Sequence, residues 1–163
     1  MDISKIHQKR YNKTLAFMDK HLKQGSSILD LGTPNPFTPQ LISAGYRVTN
    51  TAGENLDDDF KAFEIFEHLF APYNILKEIK SKRLIASVPL KLWFAEAYWN
   101  EKDDWDKHYH EFEKKQFDLL LEKTGWKIVD AQLWTSPDPN KIGLRPLLRY
   151  FTPRYYIVYC ERA

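Results

Sequence analysis

One cysteine, Cys160, stands among 163 residues, which excludes an internal disulfide and fits a reducing compartment. No apolar run approaches the roughly 20 residues needed to cross a bilayer. Neither sign of charge dominates: the net of +2 gives no electrostatic ground for nucleic acid or an anionic membrane as an obligatory partner. Met1 to Lys13 is polar and charged and lacks the apolar stretch of a signal peptide, so the expected location is cytoplasmic. The chain has no internal repeat and no low-complexity tract. Glycine is scarce at a telling place: after Ser27-Ile28-Leu29-Asp30-Leu31-Gly32 come Pro34, Pro36 and Pro39.

What is present is a globular composition, 43% hydrophobic and 28% charged, on a length that buries one core, so residues 1–163 are expected to form a single domain. Aromatic residues make up 15%, concentrated after residue 60, and line either a cleft or an aromatic core.

Tyr11, Leu15, Met18 and Leu22 fall on one helical face, and Gly25 ends that helix. Ile28 to Leu31 reads as a short buried strand. Phe37 to Ala44 reads as a helix whose first turn tolerates Pro39, because early helical positions need no N–H donor. Gly45 stops it, and Tyr46 to Thr51 reads as a second strand. The acidic stretch Gly53 to Asp59 leads into a strand-like run, Phe60 to Phe66. Pro72 opens a helix carrying Ile75, Leu76 and Ile79, and Arg83 to Val88 is a strand. Trp93 to Asp106 has no clean period and reads as irregular or a short helix. Phe112 to Lys123 is a helix stopped by Gly125. Trp126 to Trp134 and Tyr155 to Glu161 are closing strands, joined by a long Pro- and Arg-rich connection with no obvious helix. Strands alternating with helices predict a mostly parallel sheet covered on both faces. The last two strands are expected to pair antiparallel at one edge.

The order of these signals resembles the class I S-adenosylmethionine-dependent methyltransferases, particularly the type 11 and ubiquinone-biosynthesis-like group. Three segments carry it: Ser27 to Gly32 (SILDLG), Ala62 to Leu69 (AFEIFEHL) and His110 to Gln132 (HEFEKKQFDLLLEKTGWKIVDAQ). The resemblance implies an α/β fold, a Rossmann-like three-layer α/β/α sheet, mostly parallel with an antiparallel edge strand. It also implies S-adenosylmethionine as cofactor and a small-molecule acceptor. By the same resemblance Asp30, Gly32 and Thr33 would contact the methionine end, and Phe63 and Glu64 would line the methyl region. The chain departs from the family in three places. Pro34 and Pro36 replace glycines that allow close backbone approach. Ala52 falls where an acid would grip the ribose, leaving Glu54 as the nearest substitute. Only the acidic loop separates the second strand from Phe60, where the family places a helix and a further strand, so the fold is expected to be truncated in the middle. These departures leave a second possibility, a non-catalytic binding or interaction module that has lost its cofactor.

Other polar clusters admit two readings each. Glu64 is the expected wall of the methyl site and a candidate catalytic group, whereas Glu67 is expected to favour a helix dipole and His68 to bond the backbone. His110 is the candidate general base, since histidine titrates near working pH. His108, His110 and Glu111 with nearby aspartates could hold a metal for hydrolysis, but no fourth ligand is evident and none is expected. Trp93, Phe94, Tyr98, Trp99 and Trp105 form either the acceptor pocket or a lid packed on the sheet. Arg145, Arg149 and Arg154 are suited to a phosphate or carboxylate, or are simply solvated.

Overall fold

The computed structural model describes residues 5–31, 34–50, 59–63, 65–103, 107–137 and 140–163. Helices α1 (Lys5–His21), α2 (Thr38–Ser43), α3 (Pro72–Glu78), α4 (Lys114–Lys123) and α5 (Leu144–Phe151) accompany strands β1 (Ser27–Asp30), β2 (Arg47–Asn50), β3 (Asp59–Phe63), β4 (Arg83–Pro89), β5 (Trp126–Thr135) and β6 (Pro153–Arg162). The strands form one sheet in the order β2-β1-β3-β4-β6-β5. The first four run parallel, and β6 lies antiparallel to both β4 and β5.

Alternating side chains on the central strands divide the core in two. Leu84, Ala86 and Val88 of β4, with Tyr156, Val158 and Cys160 of β6, face Leu76 and Ile79 below α3 and Phe117 and Leu121 of α4. Ile85, Ile157 and Tyr159 face the other way, toward Phe17, Met18 and Leu22 around α1 and Leu41 of α2. Helices therefore cover both faces, and β4 is buried from Leu84 to Pro89, as a central parallel strand requires.

Local signals explain the boundaries. Glu113 and Gln116 form a capping box that starts α4. Gly125, at φ +85°, ends it in the left-handed conformation that glycine adopts without penalty. Arg162 then gathers the exposed carbonyls of two helix ends: its guanidinium donates to Thr124 at 2.9 Å and to Ile79, placing a cation where both dipoles favour one.

Three expectations need correction. The last two strands pair antiparallel at one edge as expected, with β5 outermost, but the strand of opposite sense is β6, which is second from that edge. It lies between β4 and β5, because two long consecutive strands pair with each other while β6 also completes the free side of β4. The connection between them holds α5, with Pro146 in its first turn, where no N–H donor is needed. The strand-like run ends at Phe63, and Phe66–His68 form a 3-10 turn that buries Phe66. The segment Trp93–Asp103 contains no helix. β2 is the outer strand beside β1, and β3 pairs directly with β1, so no strand lies beyond β2 among the described residues. No described helix is long and apolar enough to cross a membrane.

Cys160 is fully buried on β6, and burial, aided by the charge of Asp118, pushes its thiol up to about 12. A thiol-specific reagent is therefore expected to label it only as fast as the chain unfolds. A native labelling rate within roughly tenfold of the rate in urea would contradict this burial. The same shift sets a sign. An unfolded thiol ionises above its ordinary value of 9.0 and the folded one only near 12, so the thiol's contribution to stability is lost as pH rises through that window.

Candidate functional site at the carboxyl edge

β1 connects to β2 on one side and is flanked by β3 on the other, so the strand order reverses between β1 and β3. In open α/β sheets the crevice outside the carboxyl ends at such a reversal is the ligand site, because the connections on the two sides lead away from it. Asp30 ends β1 at this point and is only 3% exposed, with Asn50 of β2 donating an amide N–H to it at 3.1 Å. Phe63 ends β3 and is the register partner of Ser87 on β4. Gly32, Thr33, Glu54 and Glu64 lie outside the described residues, as does Trp105.

The proline turn does not point its rings inward: Pro34 and Pro36 are both exposed. Asn35 organises the turn by accepting the Phe37 N–H at 2.9 Å, an Asx turn, and Phe37 stacks on Tyr11 of α1 with centroids 4.8 Å apart. A cavity of about 210 Å³ opens there, walled by Tyr11, Thr14, Asn35, Ser87, Trp134 and Tyr155. Ser87 brings that cavity to the end of β4, beside the end of β3.

The sequence placed Glu67 and His68 in one cluster and His108, His110 and Glu111 in another; the structure joins part of each. The Glu67 carbonyl accepts the N–H groups of Tyr109 and His110 at 2.8 and 3.1 Å, strapping the later segment against the 3-10 turn. His68 Nδ1 donates to the Lys107 carbonyl at 3.0 Å, the backbone bond expected of it. His108 meets His68 edge to face, 5.0 Å between centroids, and its Nδ1 lies 2.9 Å from Glu111 Oε1. Burial lowers the His108 pKa, outweighing the opposing pull of Glu111, so a neutral imidazole is favoured. Glu67 lies in the first turn of the 3-10 element, and its residue is 1% exposed.

His110 faces elsewhere. It stacks on Phe112 and lines a cavity of about 510 Å³ shared with Tyr73, Tyr109, Gln116 and Leu120. Its Nε2 is buried with no hydrogen-bond partner among the described residues.

The aromatic segment after β4 folds back on itself, with Trp99 bridging to Lys107 and the His108 N–H bonding the Tyr98 carbonyl at 3.2 Å. Its inner side and the α5 region share a cavity of about 490 Å³ in which Phe94, Tyr98 and Trp99 meet Arg145, Arg149 and Arg154. Arg154 is held in place by the Leu90 carbonyl and lies 3.7 Å from Glu111. The arginines that the sequence offered as an anion site thus converge with its aromatic acceptor candidates. Only sequence proximity to two different strand ends hinted at it.

No family profile and no curated protein matches this chain. Solved structures do, and they define the class of fold. A 1,6-didemethyltoxoflavin-N1-methyltransferase of Burkholderia thailandensis, with 1,6-didemethyltoxoflavin and S-adenosylhomocysteine bound, superposes with a TM-score of 0.67 at 17% identity, covering 98% of this chain and 84% of that one. An S-adenosylmethionine-dependent methyltransferase of Methanosarcina mazei gives 0.64 at 13% identity over 90% and 96%. The [4+2]-cyclase SpnF gives 0.65 at 11% identity over 95% and 82%. The chain has the α/β fold of the S-adenosylmethionine-dependent methyltransferases.

Proposed function

We propose that this protein is a compact methyltransferase that binds S-adenosylmethionine at the carboxyl edge of its Rossmann-like sheet and methylates a small acceptor held under residues 93–110. The observation that carries the reading is the buried Asp30 carboxylate at the strand-order reversal, in a fold shared with such enzymes. The donor set fits the cofactor: a buried acid at the end of β1, an outward-facing proline turn, and a cavity reaching Ser87.

In this reading Asp30, Gly32 and Thr33 hold the polar methionine end, Glu54 faces the ribose, and Phe63 and Glu64 wall the methyl region. The bound cofactor supplies an activated methyl group on a sulfonium. The protein's share is mainly alignment, since fixing an acceptor in line replaces an encounter in solution with a pre-oriented one. His110, the base the sequence offered, lines the separate 510 Å³ cavity, so it would take a proton only from an acceptor that reaches that cavity, and no base is assigned in the arginine-lined one. The aromatic walls of the 490 Å³ cavity favour a planar acceptor, and its arginines favour one carrying a carboxylate or phosphate.

Calorimetric titration at two temperatures tests the reading. S-adenosylmethionine and S-adenosylhomocysteine should each bind one site with a Kd in the region of micromolar, about −8 kcal/mol. No heat from either at millimolar ligand at both temperatures would instead make the chain a non-catalytic module with the methyltransferase fold.

A further inference from the structure

We propose that Glu67, His68 and His108 form a binding site for a divalent transition-series cation, Zn²⁺ or Mn²⁺, at the carboxyl edge of the sheet. One donor atom from each lies within 4.8 Å of the other two. Two ligands on one such ion sit about 3.3 Å apart when each bond is about 2.0–2.1 Å, so binding needs an inward adjustment of up to about 1.5 Å. Nothing in the sequence pairs these residues: His108 is 40 positions beyond His68, and the expected His108 and His110 pair is not the one assembled.

Three features distinguish this group from a chance polar contact. First, the tautomers are set. A carbonyl can only accept, so the bond to Lys107 places the His68 proton on Nδ1 and leaves the Nε2 lone pair free to ligate. Glu111 does the same for His108, whose Nδ1–H it accepts at 2.9 Å. A ligating histidine that donates its other ring N–H to a carbonyl or carboxylate is the arrangement that orients metal ligands.

Second, the scaffold is rigid. His68 and Glu67 are consecutive in the turn after β3, and the paired main-chain bonds from Tyr109 and His110 to the Glu67 carbonyl fix the segment carrying His108 against them. Arg154 and the Tyr98 N–H, at 3.1 Å, hold Glu111 in turn. Third, the donor chemistry is selective. Two imidazoles and one carboxylate suit zinc, manganese or iron(II) rather than magnesium or calcium, which prefer all-oxygen sets. His68 Nε2 is 3.9 Å from Glu67 Oε1, and a dication between them offsets the cost of burying that carboxylate.

Three protein ligands leave at least one position open, as in catalytic rather than structural sites. The site follows β3 and adjoins the segment after β4, on the edge where the acceptor is proposed to sit. An oxygen of the acceptor is the ligand that position suits. That use rests on the methyltransferase reading; the binding of the ion does not.

The test uses chelator-treated full-length protein titrated with Zn²⁺, Mn²⁺ and, for its visible absorption bands, Co²⁺. One equivalent of Zn²⁺ or Co²⁺ should bind, with affinity reduced at least a hundredfold in His68→Gln and in His108→Gln. Glu111→Gln, which touches no ion, should weaken binding about tenfold. Thermal unfolding of each variant shows that it folds, and the histidine pair keeps the test decisive if a Glu67 variant does not. Absence of stoichiometric binding by all three ions would overturn the proposal, as would undiminished binding in the two histidine variants. S-adenosylhomocysteine titrated into the metal-free protein separates the two claims: its binding without metal uptake retires the cation site alone, and metal uptake without it retires the cofactor reading alone.

Discussion

Replacing Trp126 with alanine is expected to remove about 3–5 kcal/mol of folding stability. That is a large share of the roughly 5–15 kcal/mol that holds a domain of this size together. Trp126 opens β5 and is fully enclosed in the core on the α3 and α4 face. Its indole N–H donates to the Leu76 carbonyl in the last turn of α3 at 3.0 Å, and the Arg162 guanidinium covers its ring at 4.0 Å from the centroid. One side chain thus joins β5, α3 and the end of β6. Alanine leaves a cavity, an unmet carbonyl and an arginine without its ring. Trp126→Phe separates these effects in part, because it keeps a six-membered apolar ring and loses the donor with a little of the volume, at a cost of about 1–3 kcal/mol. Urea unfolding should therefore rank wild type above Trp126→Phe and both above Trp126→Ala. A midpoint for the alanine variant close to wild type would show that the core closes around the loss.

Much of this architecture is legible in the sequence because it is written locally. The spacing of Tyr11, Leu15, Met18 and Leu22 gives α1, and Gly25, Gly45 and Gly125 all take the positive φ expected where an element stops. The run from Arg83 to Val88 reads as a strand and is one, β4, buried from Leu84 onward. What escapes is either nonlocal or unburied. The place of β6 between β4 and β5 depends on which strand edge is free, and no residue records that. α5 escapes although Leu144, Leu147, Leu148 and Phe151 recur at helical spacing, because the helix is short, carries Pro146 and sits in a Pro- and Arg-rich stretch; none of its residues is buried, and Leu144 is 73% exposed and Phe151 78%. The union of Glu67 and His68 with His108 depends on main-chain bonds between segments 40 residues apart. The end of β1 at a buried acid was readable for the opposite reason, since an apolar run closing on Asp30 already states where that strand stops.

Asp30→Asn is expected to lower affinity for S-adenosylhomocysteine by tenfold or more while leaving the unfolding free energy from urea titration within about 1 kcal/mol of wild type. The amide has the carboxylate's shape, so its oxygen can still accept the Asn50 N–H that reaches Asp30 at 3.1 Å. What the substitution removes is a negative charge held almost out of water at the end of β1. A charged acceptor facing a ligand's donors contributes about 1.5–3 kcal/mol, which corresponds to a loss of roughly ten- to a hundredfold when only a neutral oxygen remains. The paired measurement makes the assignment specific. Weakened binding with an intact midpoint places Asp30 in the cofactor site. Unchanged binding with a lowered midpoint would make it a framework residue of the β1–β2 pair, and the cofactor reading would lose the observation that carries it.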